Sequence, residues 1–179
     1  MRFRELRLSG AFVIEPQRFE DGRGYFARTW CRREAAAAGL TAEWVQHSLA
    51  HNRVKGTLRG MHYQAAPHEE AKLIQCATGA IYDVILDLRP GSVTYGRWEA
   101  VELGAENLRL LYVPKGFAHG YQTLADDTTV TYLISEEYRP DAARGIRYDD
   151  PTFGIAWPVP VSAISDRDLA WPAHGTGRP

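Results

Sequence analysis

Residues 80–88 read A-I-Y-D-V-I-L-D-L. This run is rich in β-branched and large apolar side chains and ends at the turn formers Pro90 and Gly91, so it reads as a buried strand. Residues 108–113 form a second such run, stopped by Pro114 and Gly116, and V-T-Y-L-I-S at 130–135 forms a third. One short helix stands out, C-R-R-E-A-A-A-A-G-L at 31–40, where four alanines favour helix and Gly39 is placed to end it. Short strands separated by Gly, Pro and Asp turns indicate an antiparallel sandwich or barrel.

Strand geometry says where side chains point. In 130–135, Val130, Tyr132 and Ile134 share one face, while Thr131, Leu133 and Ser135 share the other. In a barrel one of those faces lines the interior. Tyr132 pointing inward is either core filler with a satisfied hydroxyl or a polar group offered to a bound molecule.

The bulk composition narrows the class. A chain of 179 residues fits one compact domain over 1–179, with the barrel core expected at about 45–140. A net charge of -1 with scattered basic residues gives no sign of a nucleic-acid partner, although a small anion needs only a few well-placed arginines. Cys31 and Cys76 form no C-x-x-C pair, and two reduced thiols in a cytoplasmic protein are expected. No apolar run has the length of a membrane span, and M-R-F-R-E-L-R at the start carries no signal-peptide core.

The densest polar stretch is K-G-T-L-R-G-M-H-Y-Q at 55–64. In a regular strand Arg59 faces away from His62 and Gln64, so gathering all three requires Gly60 to bend or bulge the chain. P-K-G-F-A-H-G-Y-Q at 114–122 contains the P-x-G-x-x-H core of the second half of the cupin signature. The earlier H-x-H is missing, because Tyr63 and Gln64 follow His62. His62 and His119 then lack the carboxylate that would complete a metal ligand set, and no metal is expected. Lys72 reads either as an exposed strand residue or as a buried cation facing developing negative charge. D-G-R-G at 21–24 is a turn that offers Arg23 to a phosphate, and S-D-R-D at 165–168 reads as a charged turn. G-x-G-x-x-G, Walker and G-x-S-x-G patterns are all absent.

Several segments taken in order resemble the dTDP-4-dehydrorhamnose 3,5-epimerase family. They are F-E-D-G-R-G-Y-F (19–26), G-T-L-R-G-M-H-Y-Q (56–64), A-K-L-I-Q-C (71–76) and G-A-I-Y-D-V-I-L-D-L-R (79–89). Y-V-P-K-G-F-A-H-G-Y (112–121), Y-D-D-P (148–151) and I-S-D-R-D (164–168) continue the match. The resemblance implies an all-β, cupin-type jelly-roll barrel with one or two short helices, a homodimer, and no metal or organic cofactor. It assigns His62 as the base, Asp168 as its carboxylate partner, Tyr132 as the acid on the opposite face of the sugar, and Lys72 as the cation beside the 4-keto oxygen. It places Arg59 and His119 in the same pocket and Arg23 on the nucleotide diphosphate. Phe26, Gln46, Gln64 and Tyr138 complete the expected substrate contacts.

The implied chemistry is cofactor-independent epimerisation of a dTDP-linked 4-keto-6-deoxy-hexose at carbons 3 and 5. A carbon beside a keto group is acidic because its carbanion delocalises into an enolate. His62 removes the proton, Lys72 meets the charge that develops on oxygen, and Tyr132 returns a proton from the other side. Three positions depart from the family pattern: Q-H-S-L-A-H-N at 46–52, Leu133 after the tyrosine, and Arg28 where Glu is common. They bear on whether one or both of carbons 3 and 5 are inverted, and on whether the nucleotide is dTDP, CDP or GDP. The rival readings are a single-centre epimerase, a keto-isomerase, a metal-dependent cupin, and a sugar-nucleotide-binding cupin without turnover.

Overall fold

The computed structural model describes residues 1–40 and 43–174. One sheet takes six strands in the order β1 (Arg2–Glu5), β2 (Phe12–Glu15), β10 (Leu110–Val113), β7 (Lys72–Thr78), β12 (Thr128–Ile134) and β5 (Gln46–Asn52). A second takes five, in the order β13 (Ala143–Gly145), β6 (Leu58–Gln64), β11 (Phe117–Thr123), β8 (Ala80–Asp87) and β9 (Trp98–Gly104). A two-stranded hairpin, β3 (Arg18–Asp21) with β4 (Gly24–Ala27), stands apart from both. From β5 to β8 and again from β9 to β12 the chain changes sheet at every step. That crossing, with antiparallel pairing within both sheets, makes the fold a cupin-type jelly roll. The sheets also draw in β1 and β2 from before residue 45 and β13 from beyond residue 140.

Burial explains why 80–88 is apolar almost throughout rather than alternating. Ile81 and Ile85 face between the sheets and pack with Ile74, Phe117, Tyr121 and Val130. Val84 and Leu86 face outward, yet they too are buried, against Met61, Ala118, Ile146 and Phe153. The outer face of the six-stranded sheet is covered in turn, with Ile14, Leu73, Leu110 and Tyr112 packing against Ala35, Leu40, Trp30 and Trp44. A strand buried on both faces reads as a continuous apolar run. Each Leu, Ile or Val sealed in this way contributes about 1.5–3 kcal/mol of transfer free energy.

The two helices are short. α1 spans Arg32–Ala37, inside the expected 31–40. Gly39 takes φ +80, and the N–H groups of Gly39 and Leu40 close back onto the carbonyls of Ala36 and Ala35. This is the left-handed glycine stop the sequence indicated. α2 spans Asp166–Leu169, where a charged turn was expected, and Ser165 caps it by accepting from the Asp168 N–H. Among the described residues no helix is long and apolar enough to cross a membrane.

The anticipated irregularity at Gly60 is present. His119 pairs with His62 and Tyr121 pairs with Arg59, so β6 carries one more residue than β11 between those pairs. At this point the two backbones pass so closely that a Cβ on Gly60 would lie 2.6 Å from Gly120 Cα. A Cβ on Gly120 would meet Met61 Sδ at 2.7 Å and Arg59 O at 2.9 Å. Gly120→Ala should therefore lower unfolding free energy by about 1–3 kcal/mol through overpacking, read as a lower urea midpoint. An unchanged midpoint would show that β6 and β11 can separate at no cost.

Candidate active site

Strands β6 and β11 on one sheet, and β7 and β12 on the other, enclose a cavity of about 320 Å³. The bulge turns both Arg59 and His62 towards it. His62 Nε2 lies 2.6 Å from Asp168 Oδ1, although 106 residues separate them in the chain. Two backbone contacts carry the C-terminal segment to this point: Leu58 N–H donates to Ala163 O, and Ser162 N–H donates to Gly56 O. The other Asp168 oxygen accepts the Gly60 N–H at 3.3 Å. Burial alone would push the Asp168 carboxyl up, but the hydrogen bonds from His62, Gly60 and Trp171 hold it below the usual carboxylate range. A carboxylate on Nε2 accepts that proton and leaves Nδ1 as the basic ring nitrogen.

Tyr132 lines the same cavity from the facing sheet, so the His62 imidazole and the phenol stand on opposite walls. Its alternation is the one read from sequence: Val130 and Tyr132 join the core between the sheets, and Leu133 packs outward. Burial, reinforced by donation to the Tyr121 hydroxyl, raises the Tyr132 phenol well above its ordinary value. It is therefore protonated at neutral pH and is a proton source rather than a base. Tyr121 accepts in turn from Asn52 Nδ2 at 3.1 Å, and Arg59 Nε donates to Asn52 Oδ1 at 2.8 Å.

Lys72 is only 8% exposed, and its Nζ lies 2.9 Å from Glu70 Oε1. Both residues face the cavity, so Lys72 is buried there rather than exposed on its strand. His119, the cross-strand neighbour of His62, forms a second His–carboxylate pair with Asp83, Nε2 to Oδ1 at 2.6 Å. Asp83 is fully buried; burial pushes its carboxyl up, and His119 opposes that push.

Gln46 and Tyr138 also line the cavity. The amide of Gln64 is engaged by backbone: it donates to the carbonyls of His68 and Glu137 and accepts from Arg139 N–H. Gln64 borders a smaller cavity of about 130 Å³ that shares His62, Glu70 and Tyr138 and adds Arg144 and Arg167. Arg23 and Phe26 are not brought to His62. Arg23 pairs with Asp21 at the hairpin tip, and Phe26 lies exposed on β4 beside another cavity.

The departures noted in the sequence divide by location. Ser48, Leu49 and Ala50 of β5 form cavity wall beside Tyr132. Leu133 points away, and Arg28 pairs with Glu34 at 3.7 Å outside the cavity. The sequence reading missed Asn52, Glu70, Asp83, Tyr121 and Trp171. Asp83 alone left a signal, a carboxylate in the middle of an apolar strand. Among the described residues no cluster of three or more His, Cys, Asp or Glu side chains could hold a metal ion.

A jelly-roll barrel with a His–Asp pair facing a protonated tyrosine across one cavity has the parts that an isomerase working by proton transfer requires. The chain belongs to the dTDP-4-dehydrorhamnose 3,5-epimerase family, whose model matches residues 5–175. It is 39% identical over 178 residues to the dTDP-4-dehydrorhamnose 3,5-epimerase of Sinorhizobium fredii, covering 97% of this chain and 89% of that protein. The crystal structure of dTDP-4-dehydrorhamnose 3,5-epimerase from Bacillus anthracis, with TDP and PPi bound, superposes with a TM-score of 0.94 at 40% identity, covering 96% of this chain and 98% of that one. A dTDP-4-dehydrorhamnose 3-epimerase from Streptomyces niveus is 37% identical over 170 residues, covering 94% of this chain and 81% of that protein.

Proposed function

We propose that this chain, as one epimerase domain over residues 1–179, inverts carbons 3 and 5 of a dTDP-4-keto-6-deoxy-hexose through enolate intermediates. The observation that carries this reading is the placement of His62 with Asp168 on one sheet side and protonated Tyr132 on the other, across one cavity. His62 takes the proton from the carbon beside the ketone, and the Asp168 carboxylate favours the imidazolium that forms. Negative charge then moves to the keto oxygen, where Lys72 stabilises the transition state more than the ground state. Tyr132 delivers a proton from the opposite face, and the centre inverts. Removing and returning protons leaves the oxidation state of the sugar unchanged, so the step calls for no redox group.

Arg59 at the cavity, and Arg144 and Arg167 in the adjoining one, supply the cations a diphosphate needs. Gln46, His119 and Tyr138 supply further contacts to the nucleotide sugar, with Gln64 at the cavity's margin. Arg23 and Phe26 lie outside the cavity in one copy, on a hairpin whose Phe19, Tyr25 and Phe26 are exposed. That aromatic surface supports a homodimer in which the hairpin reaches the partner's nucleotide. We place the enzyme in the cytoplasm, where Cys31 and Cys76, both free in the structure, stay reduced, and in deoxysugar and polysaccharide biosynthesis. The Streptomyces niveus relative, together with the altered β5 wall at Ser48–Ala50, favours inversion of carbon 3 alone as the second reading.

Proton NMR of dTDP-4-keto-6-deoxyglucose incubated in deuterated buffer should show deuterium entering at both carbon 3 and carbon 5. Exchange and inversion at carbon 3 alone would select the second reading, those at carbon 5 alone would contradict both readings, and no exchange at either would refute turnover of this sugar. Light scattering should give about twice the 20.1 kDa chain mass, and a stable 20.1 kDa species would rule out the dimer.

A further inference from the structure

Trp171 is a residue that the proton-transfer scheme leaves unused. Its indole lies against Gly145 so closely that a Cβ there would collide with the ring atoms. The Arg167 guanidinium carbon is 5.3 Å from the ring centroid, and the His62 ring meets the indole edge-on at 6.4 Å between centroids. Its Nε1–H donates to Asp168 Oδ1 at 3.4 Å. That is the same oxygen that holds His62 Nε2 at 2.6 Å.

We propose that Trp171 is a positioning residue for the His62–Asp168 pair, seated on Gly145 so that its N–H and ring edge fix the plane of the carboxylate. The inference rests on the reading of His62 as the base. Asp168 sits on α2, which is four residues long, and a helix that short does not hold its shape without outside contacts. Besides His62 itself, those contacts include the Ser165 cap, the Gly60 N–H on one carboxylate oxygen and the indole N–H on the other. At 3.3 and 3.4 Å both donors are long, so they orient the carboxylate more than they bind it. The shielding is one-sided. The Asp168 side chain is 5% exposed while that of His62 is 41% exposed, so the carboxylate is closed off and the imidazole stays open to a substrate. The indole hydrogen bond also helps to keep the Asp168 carboxyl low.

Two variants separate positioning from mere packing. Trp171→Phe keeps an aromatic ring over Gly145 and deletes the donor, whereas Gly145→Ala keeps the tryptophan and pushes it from its seat. Both leave in place the other charged groups around the pair — Arg59 on β6, Glu70, Lys72 on β7, His119 on β11, Arg144 on β13 and Arg167 on α2. The phenols of Tyr63, Tyr132 and Tyr138 also remain. Without the indole donor the Asp168 carboxyl rises towards its ordinary value, and the acid limb of kcat/KM moves with it to higher pH.

The readout is solvent deuterium exchange into the sugar as a function of pH, with the thermal midpoint of each variant measured alongside. Both variants should lose roughly 10-fold in kcat with KM little changed, and both should shift the acid limb upward. An unmoved acid limb in folded variants would overturn the inference, whether or not kcat falls with stability. Absence of exchange in the unaltered protein would overturn the reading of His62 as base, and this inference with it.

Discussion

The hydrogen bond between His62 and Asp168 is the contact on which the rest of the site depends. It joins the middle of β6 to a four-residue helix 106 positions further on, and the C-terminal segment that carries this helix is strapped to the start of β6 by backbone hydrogen bonds. The same stretch of β6 carries the bulge that brings Arg59 round to the cavity, and it passes β11 at a distance only glycines allow. Packing at the Gly60–Gly120 crossing and the chemistry at His62 are thus one constraint. A change that moved β6 from β11 would displace base and cation together.

Jelly-roll topology supplies the second requirement. A chain that changes sheet at nearly every strand puts β6 and β12 on facing walls, so His62 and Tyr132 look into one cavity from opposite sides, as the proposed base and acid must. Burial pushes both the Tyr132 phenol and the Asp168 carboxyl upward, and their hydrogen bonds decide where each one ends. Desolvation with donation to Tyr121 keeps the Tyr132 phenol protonated, while hydrogen bonds outweigh desolvation at Asp168 and keep it ionised. The Lys72–Glu70 pair places a cation in the cavity that is already partnered before substrate arrives, which limits the cost of burying it.

Local signals in the sequence carried far. The strands near 80–88 and 130–135, the face that Tyr132 shares with Val130, the glycine stop after α1 and the bulge at Gly60 were all readable, because each follows from backbone sterics or from alternation along a few residues. What lay out of reach was set by contacts distant in sequence. Nothing within S-D-R-D showed that it would form a helix delivering Asp168 to His62; that assignment came only with the family resemblance. The engagement of Gln64 by the 137–139 backbone and of His119 by Asp83 depends on how strands are ordered across a sheet. Trp171 and Gly145 look ordinary until the chain brings them together. The apolar run that first indicated a buried strand did not reveal that both its faces were covered, which needed the N- and C-terminal segments in place.

The most direct test of the two-wall account is to follow deuterium exchange and inversion separately in Tyr132→Phe. The account predicts that exchange at the carbon facing His62 continues while inversion slows by at least about 10²-fold, since only proton return needs the phenol. Equal loss of exchange and inversion, or inversion at the original rate, would contradict it.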